Sequence, residues 1–466
     1  MSNGLPSYLT MAKPNPQSNR APWYKNIAPT YAGIFLWVAF YMDISKGTLS
    51  QGTLSQTGVA VGLVALVVAA LICHYLFYLV PGMYGMKTGY PLYVIGSSTY
   101  GTAGGFLMPG LLMGLLQFGW LGVNIAISAN FIVQAVGQPS VVSATGVFTA
   151  SILFTVIAIV WGLAAAFIGV KGIQYVAKVA TFLPIVPLVM ILLVFFANAD
   201  GVGKYQVAAD ANPTLGFLTI IAMVVGFFAT AGAAGVDIAS GSRNKNDVSM
   251  GGLVGIALAI IVAAGLPFMA IAGAHGNNPA LLSYGFDAII KEQKGLGNIM
   301  FVLFAIASFA PACFSSLIAA NSIGTMFPKS NKMVLTLIGA IVSIVLAATG
   351  SAFNLGSVFG LIGASFGPIC GAMVADYLLS GRKWSGPRRG VNAAGYISWL
   401  VGFVVAILPN PMVVKLTGKD FAFINPAPVI AFVIGFVLYL VLAKAGLQPP
   451  VVPMEGAAEE AKTSAA

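Results

Sequence analysis

Charge is what this 466-residue chain has least of: Asp, Glu, Lys and Arg make up 7% of it, against about 25% in an ordinary soluble domain. With 58% of residues hydrophobic, that scarcity excludes a water-soluble globule. Cysteine is almost as rare. Cys73, Cys313 and Cys370 all fall inside apolar runs, where each reads as a small buried hydrophobe, and no disulfide framework is indicated. Of two histidines, His74 follows Cys73 directly, where helix neighbours do not face each other, and His275 stands near no cysteine, so no metal cluster is expected. Residues 1–27 are polar and carry no apolar stretch beside a small-residue cleavage site, so they read as a flexible cytoplasmic tail, not a secretory signal. The +10 net charge is scattered among loops and forms no basic stripe, which argues against nucleic acid. Catalytic triads, phosphate loops and repeated filter rings are missing, and with them the signatures of an enzyme or a channel.

What the chain does have is long apolar runs. Continuous stretches of about 20 residues cross a hydrocarbon core as helices, and they lack the alternation of a membrane barrel. Twelve such segments are read at roughly 28–45, 58–80, 103–136, 145–170, 176–197, 215–240, 250–274, 296–327, 333–350, 354–380, 394–409 and 425–445. Sixteen of the 22 Lys and Arg residues fall on one side of these spans; Lys46, Lys204, Lys291, Lys294, Lys415 and Lys419 fall on the other. The positive-inside rule then puts both termini, including a tail at 446–466, in the cytoplasm of a multi-pass protein of the cell (inner) membrane. The lipid bilayer is the expected surrounding, with no obligatory protein partner evident.

Two spans look irregular. The first carries an acid, Asp43, where an intramembrane charge costs at least about 2.5 kcal/mol and marks a site by default. The sixth carries Gly226, Gly232 and Gly235 beside Phe227 and Phe228, a pattern that suits either close packing or an interrupted helix. They stand five helices apart, as do the paired broken helices of inverted-repeat transporters. Repeats over about 28–197 and 215–380 follow, with two further helices at about 394–445.

Four patches can carry chemistry. Around Trp37, an unwound helix would free the carbonyls of Ala39 and Met42 for a cation, and Asp43 either accepts substrate hydrogen bonds or sits at the outer interface beside Lys46. In the third span, Gln117, Trp120 and Asn124 share a helical stripe. A flat ring beside two amides suits a planar heterocycle, and it equally suits helix–helix packing. Phe227 and Phe228 offer a second stacking surface. In the eighth span Ser315 and Ser316 supply oxygens of the kind hard sodium ions prefer, unless they bond their own helix, and the Ala312 carbonyl joins them if a serine or Pro311 disturbs the ladder. Asn321 lies about a turn and a half further on. Asp237 and Asp376, near Arg243 and Arg382, read as interfacial pairs or caps.

These patches resemble, in order and spacing, the nucleobase:cation symport family of cytosine, purine, uracil, allantoin and hydantoin permeases. The likeness runs over about 28–390. Gln117-Phe-Gly-Trp120-Leu-Gly is similar to the third-span motif of cytosine permeases. Trp37-x-Ala39-x-x-Met42-Asp43 and Ala312-x-x-Ser315-Ser316-x-x-Ala-Ala-Asn321 are similar to motifs of hydantoin permeases. Val225-Gly226-Phe-Phe228 with Val236-Asp237 resembles the sixth-span motif, and Gly363 to Asp376 with Arg382-Lys383 the tenth. The resemblance implies an all-α membrane protein of LeuT-type 5+5 inverted repeat plus two helices. It implies Trp120 and Phe228 sandwiching a ring whose edge Gln117, Asn124 and Asn321 read. Sodium would lie among Ala39, Met42, Ala312, Ser315 and Ser316, as coupling ion and with no other cofactor. Two departures stand out: Asp43 where hydantoin permeases carry glutamine, and Leu317 where cytosine permeases carry asparagine. The expected activity is cation-coupled uptake of a nucleobase-like solute by alternating access. The rival is a proton-coupled permease for a thiamine-precursor pyrimidine, allantoin, hydantoin or another small polar solute.

Overall fold

The computed structural model describes residues 5–454 apart from positions 48, 50, 144–145, 172–183, 294 and 328. Among the described residues it is helical, with no strand. Nine helices are long and apolar enough to cross a membrane, and the pair Ala393–Ile407 and Pro411–Thr417, bent by 71°, makes a tenth. The two remaining runs of the twelve are the broken first span and Lys332–Ala348, which is shorter than the others. Part of the fifth run lies outside the described residues, and its described part is Ile185–Asn198. Large apolar side chains such as Val64, Leu71, Val160, Phe196, Val345 and Leu400 face outward, as a surface solvated by lipid requires.

The spans sort into two packed groups, the first, second, sixth and seventh in one and the third, fourth, eighth and ninth in the other, with the tenth and twelfth against the sixth. Glycine lets these backbones touch. A Cβ on Gly85 would lie 1.9 Å from the Val236 carbonyl oxygen where the second and sixth spans cross, and one on Gly226 would lie 2.7 Å from that of Phe359.

The first span does break, but its position has no glycine or proline to announce it. Ile27–Phe35 ends at Leu36, Trp37 is extended (φ −71, ψ 127), and a single turn, Val38–Tyr41, follows. The sixth span departs from expectation: Pro213–Ala233 is one helix straight through Gly226 and Gly232, and only Ala234 separates it from the turn Gly235–Ala239. Its glycines serve packing. The eighth span is likewise unbroken, Gly297–Met326 with Pro311 inside. A proline frees the carbonyl four residues before it, here that of Ala307, so it does not release that of Ala312.

Residues 5–26, read as a loose tail, are docked. Asn15 N donates to Gly89 O at 2.9 Å, Ala21 N to Gly241 O at 2.8 Å, and Trp23 N to an Asp247 carboxylate oxygen at 3.2 Å, across the ends of the second, sixth and seventh spans. Further out, Tyr8 donates to Thr102 O at 2.7 Å, and Tyr8 and Leu9 share a small core with Val94 and Met454. The two tails therefore meet on one face.

Asp376 also corrects the sequence reading. It is fully buried and receives Ser98 Oγ at 2.7 Å, Tyr439 OH at 2.9 Å and Arg388 at 3.4 Å; its cation is Arg388, not Arg382. Asp237 accepts from Leu92 N at 3.2 Å, at the start of the short helix Leu92–Tyr100, so it acts as a cap. The partner of Arg243 is Asp247, at 2.8 Å.

Candidate functional site

The break at Trp37 places an indole where four elements converge. The Trp37 ring lies 5.5 Å from Trp120 of the third span and 6.2 Å from Phe227 of the sixth. Trp120 meets Phe227 edge-on at 5.0 Å and 73°, and Phe359 of the tenth span lies 5.6 Å from Trp120 and 5.4 Å from Phe227. Phe40 adds a contact with Phe227 at 4.8 Å. These rings form a box in the middle of the molecule, every wall at least nine-tenths buried.

The ring opposite Trp120 is thus Phe227. Phe228, the next residue, turns about 100° away around the helix. It stacks on Phe35 at 5.6 Å and 22° and packs against Tyr31. A planar solute held face to face between two rings needs them about 7 Å apart, so the 5.0 Å edge-on contact of Trp120 and Phe227 has to open to admit one.

Polar groups lie on the helices that carry these rings. Trp120 Nε1 donates to Thr230 Oγ1 at 3.4 Å. Gln117, one turn before Trp120, is buried and, among the described residues, its amide donates to the Met113 sulfur at 3.6 Å, a weak contact. Asn124 is more committed: its amide donates to Ser308 O at 2.6 Å, and its oxygen accepts from Trp161 Nε1 at 3.2 Å and Ser128 Oγ at 3.4 Å. It bonds third, fourth and eighth spans together with one amide hydrogen to spare. Asn321 sits on an exposed position of the eighth span, two residues beyond buried Ala319.

Trp37 Nε1 is buried with no hydrogen-bond partner among the described residues. Trp37 belongs to a sequence motif without a role of its own there, and Phe359 belongs to none of the four patches. A lone tryptophan before a helix break is a usable signal; one phenylalanine in an apolar tenth span is not.

The proposed cation ligands are chemically apt: carbonyl and hydroxyl oxygens are neutral hard donors of the kind sodium takes. Ser316 bonds its own helix, its Oγ donating to Ala312 O at 3.1 Å, which is the alternative its residue type allows; the hydroxyl lone pairs remain as acceptors. Met42 lies past the last turn of the broken span, and its carbonyl accepts Phe286 N at 2.9 Å with a second lone pair left over. Ala39 and Ala312 are fully buried, and Ser315 nearly so.

Asp43 stands apart from the rings, in the turn that follows Tyr41. Its carboxylate makes no hydrogen bond among the described residues and feels two neighbouring charges, Lys46 and Asp287. Asp287 belongs to the loop helix Phe286–Lys291 between the seventh and eighth spans, where burial first and the charge of Asp43 second push its carboxyl up to about 6.

A lipid-facing body of membrane-crossing helices around a buried cluster of aromatic rings is the build of a membrane transporter. Residues 16–385 match the family described as permeases for cytosine/purines, uracil, thiamine and allantoin, and the chain belongs to that family. It is a transporter, not an enzyme. Cytosine permease of Escherichia coli strain K12 is 24% identical over 345 residues, covering 70% of this chain and 72% of the relative. Among solved structures, the inward-facing conformation of Mhp1 superposes with a TM-score of 0.66 at 19% identity, covering 97% of each chain. Mhp1, a nucleobase-cation-symport-1 transporter, in a closed conformation with bromovinylhydantoin bound gives 0.62 at 20% identity over 93% of this chain and 95% of that one. A sodium-coupled sialic acid symporter gives 0.53 at 15% identity, covering 96% and 93%. The fold is the LeuT type of these transporters.

Proposed function

We propose that this permease carries a nucleobase or a related planar N-heterocycle, such as cytosine or a purine, into the cell together with sodium. The observation that supports this best is the box of Trp37, Trp120, Phe227 and Phe359, with Gln117 one turn before Trp120 on the same helix. Four rings give stacking surface to any flat heteroaromatic, and an under-used amide supplies the donor and acceptor to read its edge. Trp120 and Phe227 are the faces, Phe228 backs them through Phe35, and Gln117, Asn321 and the remaining amide hydrogen of Asn124 are the edge readers. Ala39, Met42, Ala312, Ser315 and Ser316 hold the cation. Moving a positive ion inward gains about 2.3 kcal/mol per 100 mV, so coupling supports accumulation. Both termini lie in the cytoplasm on this reading, and the repeats are about 28–197 and 215–380.

The two packed groups support alternating access: the first, second, sixth and seventh spans rock against the third, fourth, eighth and ninth on this reading, and the box between them opens to one side at a time. A second reading, proton coupling, draws on one observation. Among the described residues the Asp43 carboxylate has no hydrogen bond, and it lies close enough to Asp287 to feel its charge, as a proton carrier would.

The test is a thermal-shift screen of the purified protein against nucleobases, hydantoins and hydroxymethylpyrimidine, with sodium or potassium. Stabilisation by at least one heterocycle, larger in sodium, is expected. No stabilisation in either salt sinks the substrate class, and equal stabilisation in both sinks the sodium coupling.

A further inference from the structure

The five cation ligands of the proposed site sit on two separate elements: Ala39 and Met42 on the broken first span, Ala312, Ser315 and Ser316 on the eighth. One ion can touch both sets only if the two spans are held at a fixed separation, and coordination at oxygen tolerates little play in that distance. The first span cannot hold itself, because its last turn is only Val38–Tyr41 and the chain then leaves the helix.

What lies between them is Phe286. Its side chain is fully buried, 5.3 Å from Tyr41 at 89° and 5.9 Å from Phe304 at 83°, while Tyr41 and Phe304 stand 6.5 Å apart. The three rings make an edge-to-face triangle, the arrangement aromatic quadrupoles favour. Tyr41 immediately precedes Met42, and Phe304 lies on the same helix as Ala312, about 12 Å along it. Phe304 is itself packed on Phe131 of the third span at 6.1 Å, so the triangle is tied to the helices that do not break. The same residue also reaches a ligand directly: Phe286 N donates to Met42 O at 2.9 Å, which fixes the plane of that peptide and the direction of its free lone pair.

We infer that Phe286 is a positioning residue for the coupling cation, a wedge from the loop between the seventh and eighth spans that sets the spacing of the first and eighth. This rests on the sodium reading above. The ring acts on distance and the amide on orientation, so truncating the ring loosens the site without removing any ligand. Outer-sphere partners of metal ligands typically cost 10–100-fold in affinity when lost.

The experiment is a sodium titration of thermal stability on the intact protein, in potassium background, for wild type, Phe286→Ala and Phe286→Leu. The sodium concentration at half-maximal stabilisation is expected to rise about tenfold or more in Phe286→Ala, and to return most of the way to wild type in Phe286→Leu, which refills the wedge. The melting temperature without sodium reports the purely structural cost of the substitution. A lower sodium-free melting temperature with an unchanged sodium midpoint in both variants overturns the proposal alone. No sodium response in the wild type overturns the sodium reading and this proposal with it.

Discussion

Trp120 and Phe227 meet edge-on at 5.0 Å, so the two rings occupy the space a stacked solute would need. Phe227→Leu should raise the heterocycle concentration at half-maximal thermal shift by about two- to tenfold, since stacking on an aromatic ring contributes about 0.5–1.5 kcal/mol beyond its buried area. Phe228→Leu, whose ring stacks on Phe35, should lower the melting temperature and leave the ligand midpoint within about twofold. Ligand titrations of the two variants side by side decide it; the reverse pattern would make Phe228 the wall.

Asp287 gives the protein a pH-dependent stability. Burial and Asp43 raise its carboxyl from 3.8 to about 6, so between those values the folded chain holds a proton the unfolded chain has lost. Stability from this group is present at low pH and falls as pH rises through about 6. Asp287→Asn removes this charge and should melt higher than wild type at about pH 7, with the gap narrowing as pH falls and closing towards about pH 4. Melting curves across that range test it, and a gap that stays constant refutes the assignment.

Asp43→Asn separates the two coupling readings. With sodium coupling, uptake by the variant keeps the pH dependence of wild type and its sodium requirement. With proton coupling through Asp43, the pH dependence flattens. Radiolabelled cytosine uptake in proteoliposomes at two pH values distinguishes them.

Gly85→Ala should destabilise the whole body. The new methyl would lie 1.9 Å from the Val236 carbonyl oxygen, a backbone atom that cannot swing aside. Overpacking of this kind costs about 1–3 kcal/mol. A lower melting temperature is expected, and an unchanged one would mean that the second and sixth spans part easily there.

The membrane spans were legible because an apolar run of sufficient length has few alternatives in lipid. So was the stripe of Gln117, Trp120 and Asn124, since helical spacing alone puts them on one face. The limits have physical causes. Gly226 reads the same whether a helix unwinds or a neighbour presses on it, and only the Phe359 backbone beside it decides for packing. Whether Phe227 or Phe228 meets Trp120 is a rotation about one helix axis, which sequence order does not fix. Arg388 displaced Arg382 as the partner of Asp376 because the chain loops back after the tenth span. The docking of residues 5–26 rests mostly on the side chains of Tyr8, Asn15, Arg20 and Asn26 bonding backbone carbonyls far along the chain, partners that no local pattern announces.

The meeting of the tails bears on the order in which the molecule can be finished. Tyr8 and Leu9 leave the ribosome before any of the spans, yet the core that covers them includes Met454, which follows the last span. Their apolar side chains stay uncovered until the helices between have been made. Docking this segment thus waits on the far end of the helical body, and a chain released before Met454 would keep Tyr8 and Leu9 loose.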